Sequence, residues 1–412
     1  MIRILFSLTI ITACNSGGDD FLQFRSPDEL HCFDLNEVNE TLEIDVTKYI
    51  GQTTKLSELI DDFYYLRLNP GYKILGDISK VIATNSTIIL VDKDVTSSIA
   101  GFDIHSGELT FFIDHLGDGP EQYQSIYDVE IDENQNKILV FDGLKRKIHE
   151  YTLNGQYIGN KSTNVYFREF RFFNNTTITT STRLYNEHVF RSDDLINFLW
   201  LDSTLNVFAY TDRTNPKSYV NEYTGLGYLN RYKEFISFVP PFTYNIHVFN
   251  TVNGQLFTPL SLKSSSQLWD TKQIRSLTYE ELYRASLENP SKLLSLGRHF
   301  LSKDWTGLEL EKFRGRGLLV FSRIDGSSYF VIDNLDSDLP GLIMFGFPDT
   351  SNDEWLISLT DPQSIRAFMQ PEKIQEIKQR GLYNSKLDIF FQKNIDPEDP
   401  VLLFYKLKNK NQ

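Results

Sequence analysis

From about residue 42 onward the chain alternates short apolar runs with polar turns, at strand length rather than helix length. The runs are rich in Ile, Val, Thr, Phe and Tyr, which suits pleated, half-buried surfaces. One pattern recurs. Ile78-Ser79-Lys80-Val81 is echoed by Ile126-Tyr127-Asp128-Val129, and Ile88 to Asp92 by Ile138 to Asp142. Ile99 and Phe102 then match Ile148 and Tyr151, and Ser106-Gly107 matches Asn154-Gly155, all at offsets of 48 to 50 residues. A period of that length with about four strands per unit predicts propeller blades, which must stack because one blade cannot bury both its faces.

Between the two repeats lies Gly117-Asp118-Gly119-Pro120, followed by Tyr123. Glycines before a helix would suggest a phosphate cradle, but "SIYDVEID" follows, which reads as a strand. The segment is expected to turn the chain from the outer strand of one blade to the innermost strand of the next, with Tyr123 packed below. Later blades are blurred: a third over 165–213, a fourth over 219–265 with Pro240-Pro241 in a turn, and a fifth over about 298–333. The sixth uses "LIMFGF" and "EWLISL", completed by an N-terminal strand from 42–48 or 62–68.

Two inserts read as helices. Thr278-x-x-Glu281 is a capping box ahead of Tyr279, Leu282, Tyr283 and Leu287. A second segment carries Ile365, Phe368 and Met369, restarts at Pro371 with Ile374 and Ile377, and stops at Gly381. Their apolar stripes are expected to pack on the propeller rim.

These segments resemble the six-bladed β-propeller lipoproteins of Gram-negative gut anaerobes, relatives of the NHL-repeat proteins. The resemblance is carried by "GDGPEQY" (117–123), "KILVFDGLKRKIHEYTLNGQYIG" (137–159), "FVPPFTYNIHVF" (238–249), "DPVLLFYKLK" (399–408) and the lead-in "LEIDVTKYIGQTTKLSELIDDFYYLRL". It implies an all-β, six-bladed β-propeller with short helical inserts. Activity does not follow from such a fold.

The start of the chain concerns location. Met1-Ile2-Arg3, an apolar run from Ile4 to Ile11 and Ile11-Thr12-Ala13-Cys14 form a secretory signal that resembles a bacterial lipoprotein box. That resemblance implies a signal peptide over 1–13, a lipidated Cys14, a flexible tether over 14–40 and the propeller domain over 41–412. An outer-membrane lipoprotein, on the periplasmic face or cell surface and monomeric, is expected. The net charge of −14 becomes −15 once Arg3 leaves with the signal, which argues against nucleic acid as a partner. Cys32 is then the one free cysteine, so no internal disulfide can form.

Candidate chemistry is sparse. The seven histidines stand singly, without zinc-helix spacing. Asp132-x-Asn134-x-Asn136 begins like a calcium loop, but Lys137 and Gly143 stand where glycine and glutamate are needed, so it reads as a hairpin turn. No Gly-x-Ser-x-Gly elbow occurs. Two functions of different class remain. One is a non-catalytic binding or scaffold lipoprotein holding a glycan, peptide or partner protein at the propeller mouth, with Gln122, Tyr123, Tyr127, Arg168 and Arg171 as candidate contacts near inner-strand starts. The other is a metal-dependent, lactonase-like hydrolase or lyase with a divalent ion in the channel. No cofactor is assigned and no catalytic residue is nameable, so enzyme status stays open. Convergent Asp, Glu, Asn or His on the axis would favour the second; Arg, Gln and aromatics would favour the first.

Overall fold

The computed structural model describes residues 30–35, 42–48, 54–181, 186, 195–214, 227–264, 266–312, 315–322, 328–332, 335–336, 348–360, 365, 370–381, 383, 387, 390 and 399–408. Cys14, the "LIMFGF" segment, Phe368 and Met369 lie outside them. Four N-terminal strands come first: β1 (His31–Cys32), β2 (Leu42–Asp45), β3 (Thr54–Lys55) and β4 (Ile60–Arg67). The repeat then emerges as antiparallel meanders. The first holds β5 to β8 (Lys80–Ala83, Thr87–Asp92, Ser98–Asp103, Leu109–Ile113) and the second β9 to β12 (Asp128–Asp132, Lys137–Asp142, Lys147–Thr152, Tyr157–Ser162). The third holds β13 to β16 (Phe170–Phe173, Thr176–Thr180, Leu195–Leu201, Val207–Thr214) and the fourth β17 to β20 (Leu229–Tyr232, Phe235–Phe238, Asn245–Asn250, Gln255–Lys263). The fifth holds β21 to β24 (His299–Leu301, Trp305–Lys312, Gly315–Ser322, Ser328–Ile332).

The molecule is therefore an all-β propeller. In place of six alike units, five blades are contiguous meanders, and the remaining four-stranded sheet is a composite of the two chain ends. After β25 (Leu335–Asp336), strands β26 (Thr350–Ser351), β27 (Leu356–Thr360) and β28 (Val401–Leu407) pair in the order β26-β27-β28-β4. The β28–β4 ladder runs antiparallel from Val401 opposite Arg67 to Leu407 opposite Ile60. Residues 60–67 thus provide the closure expected of 62–68, while β2 goes elsewhere.

Packing explains why central strands read as unbroken apolar runs. In β10, Ile138 and Val140 join the cluster containing Ile89, Val91, Ile99 and Ile113 of the first blade. Leu139 and Phe141 join Phe170, Leu199 and Leu201 of the third. Successive side chains alternate between the two neighbouring blades, so both faces of the strand are dry.

The repeat also preserves a polar knot. Buried Asp92, ending β6, accepts from the Gly76 (2.6 Å) and Val95 (2.9 Å) backbone N–H groups and from the Thr96 hydroxyl (2.8 Å). Burial alone would raise its pKa, but these hydrogen bonds outweigh that and hold it below the usual carboxylate range. Asp142, fifty residues on, does the same with the Gln124 N–H (2.7 Å), the Ser125 hydroxyl (2.9 Å) and the Leu144 and Lys145 N–H groups (3.1 Å each). Each aspartate ties the incoming link to its own hairpin.

That link behaves as the sequence predicts. Tyr123 is fully buried, its hydroxyl donates to the Ser97 carbonyl (2.7 Å), and its carbonyl accepts from the Gly117 N–H (2.9 Å). Gly117 has φ +155°, and a Cβ there would lie 2.4 Å from the Gln122 side chain. We expect Gly117→Val to lower stability by about 1–3 kcal/mol in thermal melts. Gly119→Val should be much milder, because there a Cβ would meet the movable end of Gln122 at 2.8 Å without left-handed backbone.

The lead-in to the first blade adds short strands of its own, of which only β1 lies within 14–40. β1 pairs in parallel with β16, β2 with β20 and β3 with β25, so the segment lays strands against the third blade, the fourth blade and the strand after the fifth. Phe33 donates its N–H to the Tyr210 carbonyl (2.9 Å) and packs against Trp200 and Phe249 at centroid distances of 4.8 and 5.5 Å. An aromatic beside an open sheet edge is enough to pin such a short strand.

Four helices matter: α1 (Leu56–Leu59), α2 (Thr271–Ile274), α3 (Tyr279–Glu288) and α4 (Pro371–Gln379). The Thr278–Glu281 capping box forms in both directions. Only part of the α3 stripe packs: Leu282 joins Phe242, Trp269 and Ile274, whereas Tyr279, Tyr283 and Leu287 remain about half exposed. In α4, Ile377 is buried in the cluster around the composite sheet.

Candidate functional site: the propeller channel

The innermost strands β5, β9, β13, β17, β21 and β26 border a central channel, and their first residues converge at one mouth. A cavity of about 120 Å³ there is lined by Ser79, Tyr127, Glu169, Arg298, Asp349 and others. A second, of about 140 Å³, reaches the hairpin end past Glu133, Tyr232 and Asp353. The two share Lys80, Val81, Arg171, Asn230 and Asp349, which form a waist between them.

Charged side chains hold the waist together. Arg171 donates to Asp128 (3.2 Å) and to the Phe170 and Leu229 carbonyls (2.7 and 2.6 Å), with Glu130 at 3.5 Å. Lys80 donates to Asp128 (2.5 Å) and the Val129 carbonyl (2.6 Å). Arg231 reaches Glu130 and Glu133, both at 3.0 Å. Glu169 accepts from the N–H groups of Gly227, Tyr228 (2.9 Å) and Leu229 (3.2 Å). These bonds span the first four blades. They act as a clasp around the axis.

Burial sets the protonation behaviour. It lowers the Lys80 pKa, helped by Arg171, while Asp128 and Glu130 oppose it. For Arg171 burial works downward, but Asp128, Glu130 and Glu169 outweigh it and raise the pKa, so the guanidinium stays charged. Burial raises Glu169 against the pull of Arg171. His299 is pushed down to about 4 by burial. Its Nδ1 faces the Gly297 carbonyl (3.0 Å), which can only accept, so Nδ1 carries the proton and Nε2 accepts from the Ser237 hydroxyl (2.8 Å). The imidazole is neutral and committed on both sides. Among the described residues no three His, Cys, Asp or Glu side chains are grouped to hold a metal ion.

Of the residues chosen from sequence, Tyr127 and Arg171 line the channel. Gln122 instead caps the blade link by accepting from the Gly119 N–H (2.8 Å), Tyr123 is core, and Arg168 is exposed and lines neither cavity. Sequence reading missed Lys80, Asp128, Glu130, Glu169, Arg231, His299 and Asp349. A signal for some of them existed: Asp128/Glu130 and Glu169/Arg171 put charges two apart at the start of apolar strands, a period that turns both toward one edge or face.

Two solved structures share this fold. A protein of Bacteroides fragilis NCTC 9343 described as exported has 13% identity and a TM-score of 0.64, covering 90% of this chain and 99% of its own. A member of the DUF4221 family from Bacteroides vulgatus ATCC 8482 has 12% identity and a TM-score of 0.51, covering 85% and 98%. No curated protein matches the sequence. The family model described as Domain of unknown function (DUF4934) matches residues 41–406, nearly the whole propeller and its closing strands. The chain belongs to the DUF4934 family.

Proposed function

We propose that this protein is an outer-membrane-anchored, non-catalytic binding or scaffold lipoprotein whose propeller holds a glycan, peptide or partner protein at its channel. The observation that carries this reading is how the channel charges are used. Asp128 and Glu130 face Lys80, Arg171 and Arg231, and Glu169 is taken up by three backbone N–H groups. Carboxylates already matched in this way stiffen a scaffold. A lactonase-like centre would need them turned toward an ion.

Several finer features belong to the same proposal. Cleavage after residue 13, lipidation of Cys14 and an outer-membrane position are read from the lipoprotein-like start, and a monomeric state is proposed with them; the exported description of the B. fragilis structure supports only export. The domain division into a signal over 1–13, a tether over 14–40 and a propeller over 41–412 is part of the same proposal. Beyond the five meander blades, we keep as part of this proposal a six-bladed, NHL-like ring in which the composite sheet of the chain ends would count as the sixth blade.

Cys14→Ser should release the protein from membranes on cell fractionation; continued sedimentation with the outer membrane would contradict the anchor. The binding reading is tested on glycan and peptide arrays with the soluble mature body. We expect at least one ligand class whose binding falls when Tyr127→Trp narrows the mouth. An absence of any ligand on the arrays, together with no co-purifying partner protein, would overturn the reading.

A further inference from the structure

We propose that the channel mouth receives a primary ammonium group, the N-terminus of a peptide, against the carboxylate of Asp349. This rests on the binding reading above and narrows its ligand class. Asp349 stands immediately before β26 and lines both cavities, so a group entering from the strand-start mouth meets it at the waist. Its own N–H donates to the Ile357 carbonyl (2.9 Å), which fixes its backbone in the composite sheet.

What distinguishes Asp349 from the other channel carboxylates is how little it is used. Among the described residues its side chain has one hydrogen-bond partner, the Leu359 N–H at 2.7 Å. That leaves acceptor capacity at a residue lining the channel, since an ionised carboxylate can take about four hydrogen bonds. The residue is exposed to the channel, and desolvation by the surrounding protein raises its carboxyl pKa against the opposing Leu359 N–H and Arg298. Arg298 itself is engaged by Glu309 at 3.1 Å.

The surroundings select the cation. A hard metal ion would want about six oxygen ligands, and no such group gathers around Asp349 among the described residues. An ammonium needs one good carboxylate and a few acceptors: the Ser79 oxygen, whose hydroxyl donates to the Val91 carbonyl (3.0 Å), keeps its lone pairs, and the Asn230 oxygen, which accepts from the Leu301 N–H (3.2 Å), keeps one. A sugar ring would want a free aromatic face. Tyr127 at the mouth is instead turned against Phe141 and Tyr166, at centroid distances of 6.3 and 5.2 Å.

Size and charge order point to a peptide end. The outer cavity, about 120 Å³ and open at the mouth, is a little below the roughly 150 Å³ that encloses one benzene ring, a size that suits the terminal residue of a peptide. Lys93 lines this outer cavity and not the inner one, and makes no ion pair among the described residues. An unspent anion at the waist and an unspent cation nearer the entrance match a group entering amino end first, with carbonyl oxygens trailing behind.

The test is a peptide array displayed through C-termini and printed in duplicate, with free and with acetylated N-termini, probed with the soluble mature protein. Acetylation should lower binding at least tenfold, and Asp349→Asn should lower binding to the free peptides equally while leaving any acetylated signal unchanged. The asparagine oxygen can still accept from Leu359, and unchanged melting certifies the fold. Equal binding of both forms, or binding only through internal lysines, would overturn the amino-end proposal while channel binding stood. A ligand found solely on the glycan array and lost in Tyr127→Trp would do the same. Silence on every array would overturn the amino-end proposal, and silence together with no co-purifying partner protein would overturn the binding reading as well.

Discussion

A mature chain shortened to begin at Asn69 aggregates or melts without a cooperative transition. The truncation removes β4, and with it Ile60, Phe63, Tyr65 and Leu68, all buried. Burying each such side chain is worth about 1.5–3 kcal/mol, so the four supply roughly 6–12 kcal/mol. That is comparable with the whole stability of an ordinary domain, about 5–15 kcal/mol. It also strips the stacked contact of Tyr64 on Phe404 (4.6 Å) and leaves the β28 edge open to other chains. Deleting 399–408 should have the same outcome from the other end. Deleting 15–38 should be far milder, a cooperative transition lowered by about 1–2 kcal/mol, because it removes the half-buried Phe33 and two residues of edge strand. Differential scanning calorimetry of the three variants checks this order, and a cooperative melt at the parent temperature for the Asn69 variant would refute closure by β4.

The second large effect is expected at the axis. Arg171→Ala should destabilise by about 3–5 kcal/mol, since it strands Asp128 and Glu130, both buried, with fewer counter-charges. Arg171→Lys should recover less than half. An ammonium cannot span Asp128, Phe170 and Leu229 as the planar guanidinium does. Urea unfolding measures both, and a loss under about 1 kcal/mol for Arg171→Ala would mean that the waist is softened by water and is no clasp.

The first two blades were legible because their strands, turns and knot-forming Asp92 and Asp142 repeat in register. Apolar periodicity reports packing between neighbouring blades, and there the two echo each other closely. The two-residue strands β1 and β3 were not legible, having too few side chains to show alternation, and β2, read as a strand within 42–48, was assigned the wrong partner because its mate β20 lies more than one hundred residues away. The channel was least legible. Its residues come a few from each blade, from Ser79 to Asp349, so no local spacing gathers them. Tyr127 and Arg171 were reachable from the rule that inner-strand starts face a mouth. That same rule misplaced Gln122 and Tyr123, which precede β9 by several residues and belong to the link. Asp349 follows a stretch with no repeat echo, and no sequence pattern marks it.

The central claim is that Asp128, Glu130 and Glu169 are spent on Lys80, Arg171, Arg231 and backbone N–H groups, leaving a mouth for a ligand in place of a catalytic metal. Elemental analysis of the purified mature protein, dialysed against metal-free buffer, tests it most directly. The account predicts far less than one equivalent of calcium, zinc, manganese or iron per chain, unchanged by Glu169→Gln. One tightly held divalent ion per chain, lost in Glu169→Gln or Asp128→Asn, would contradict it.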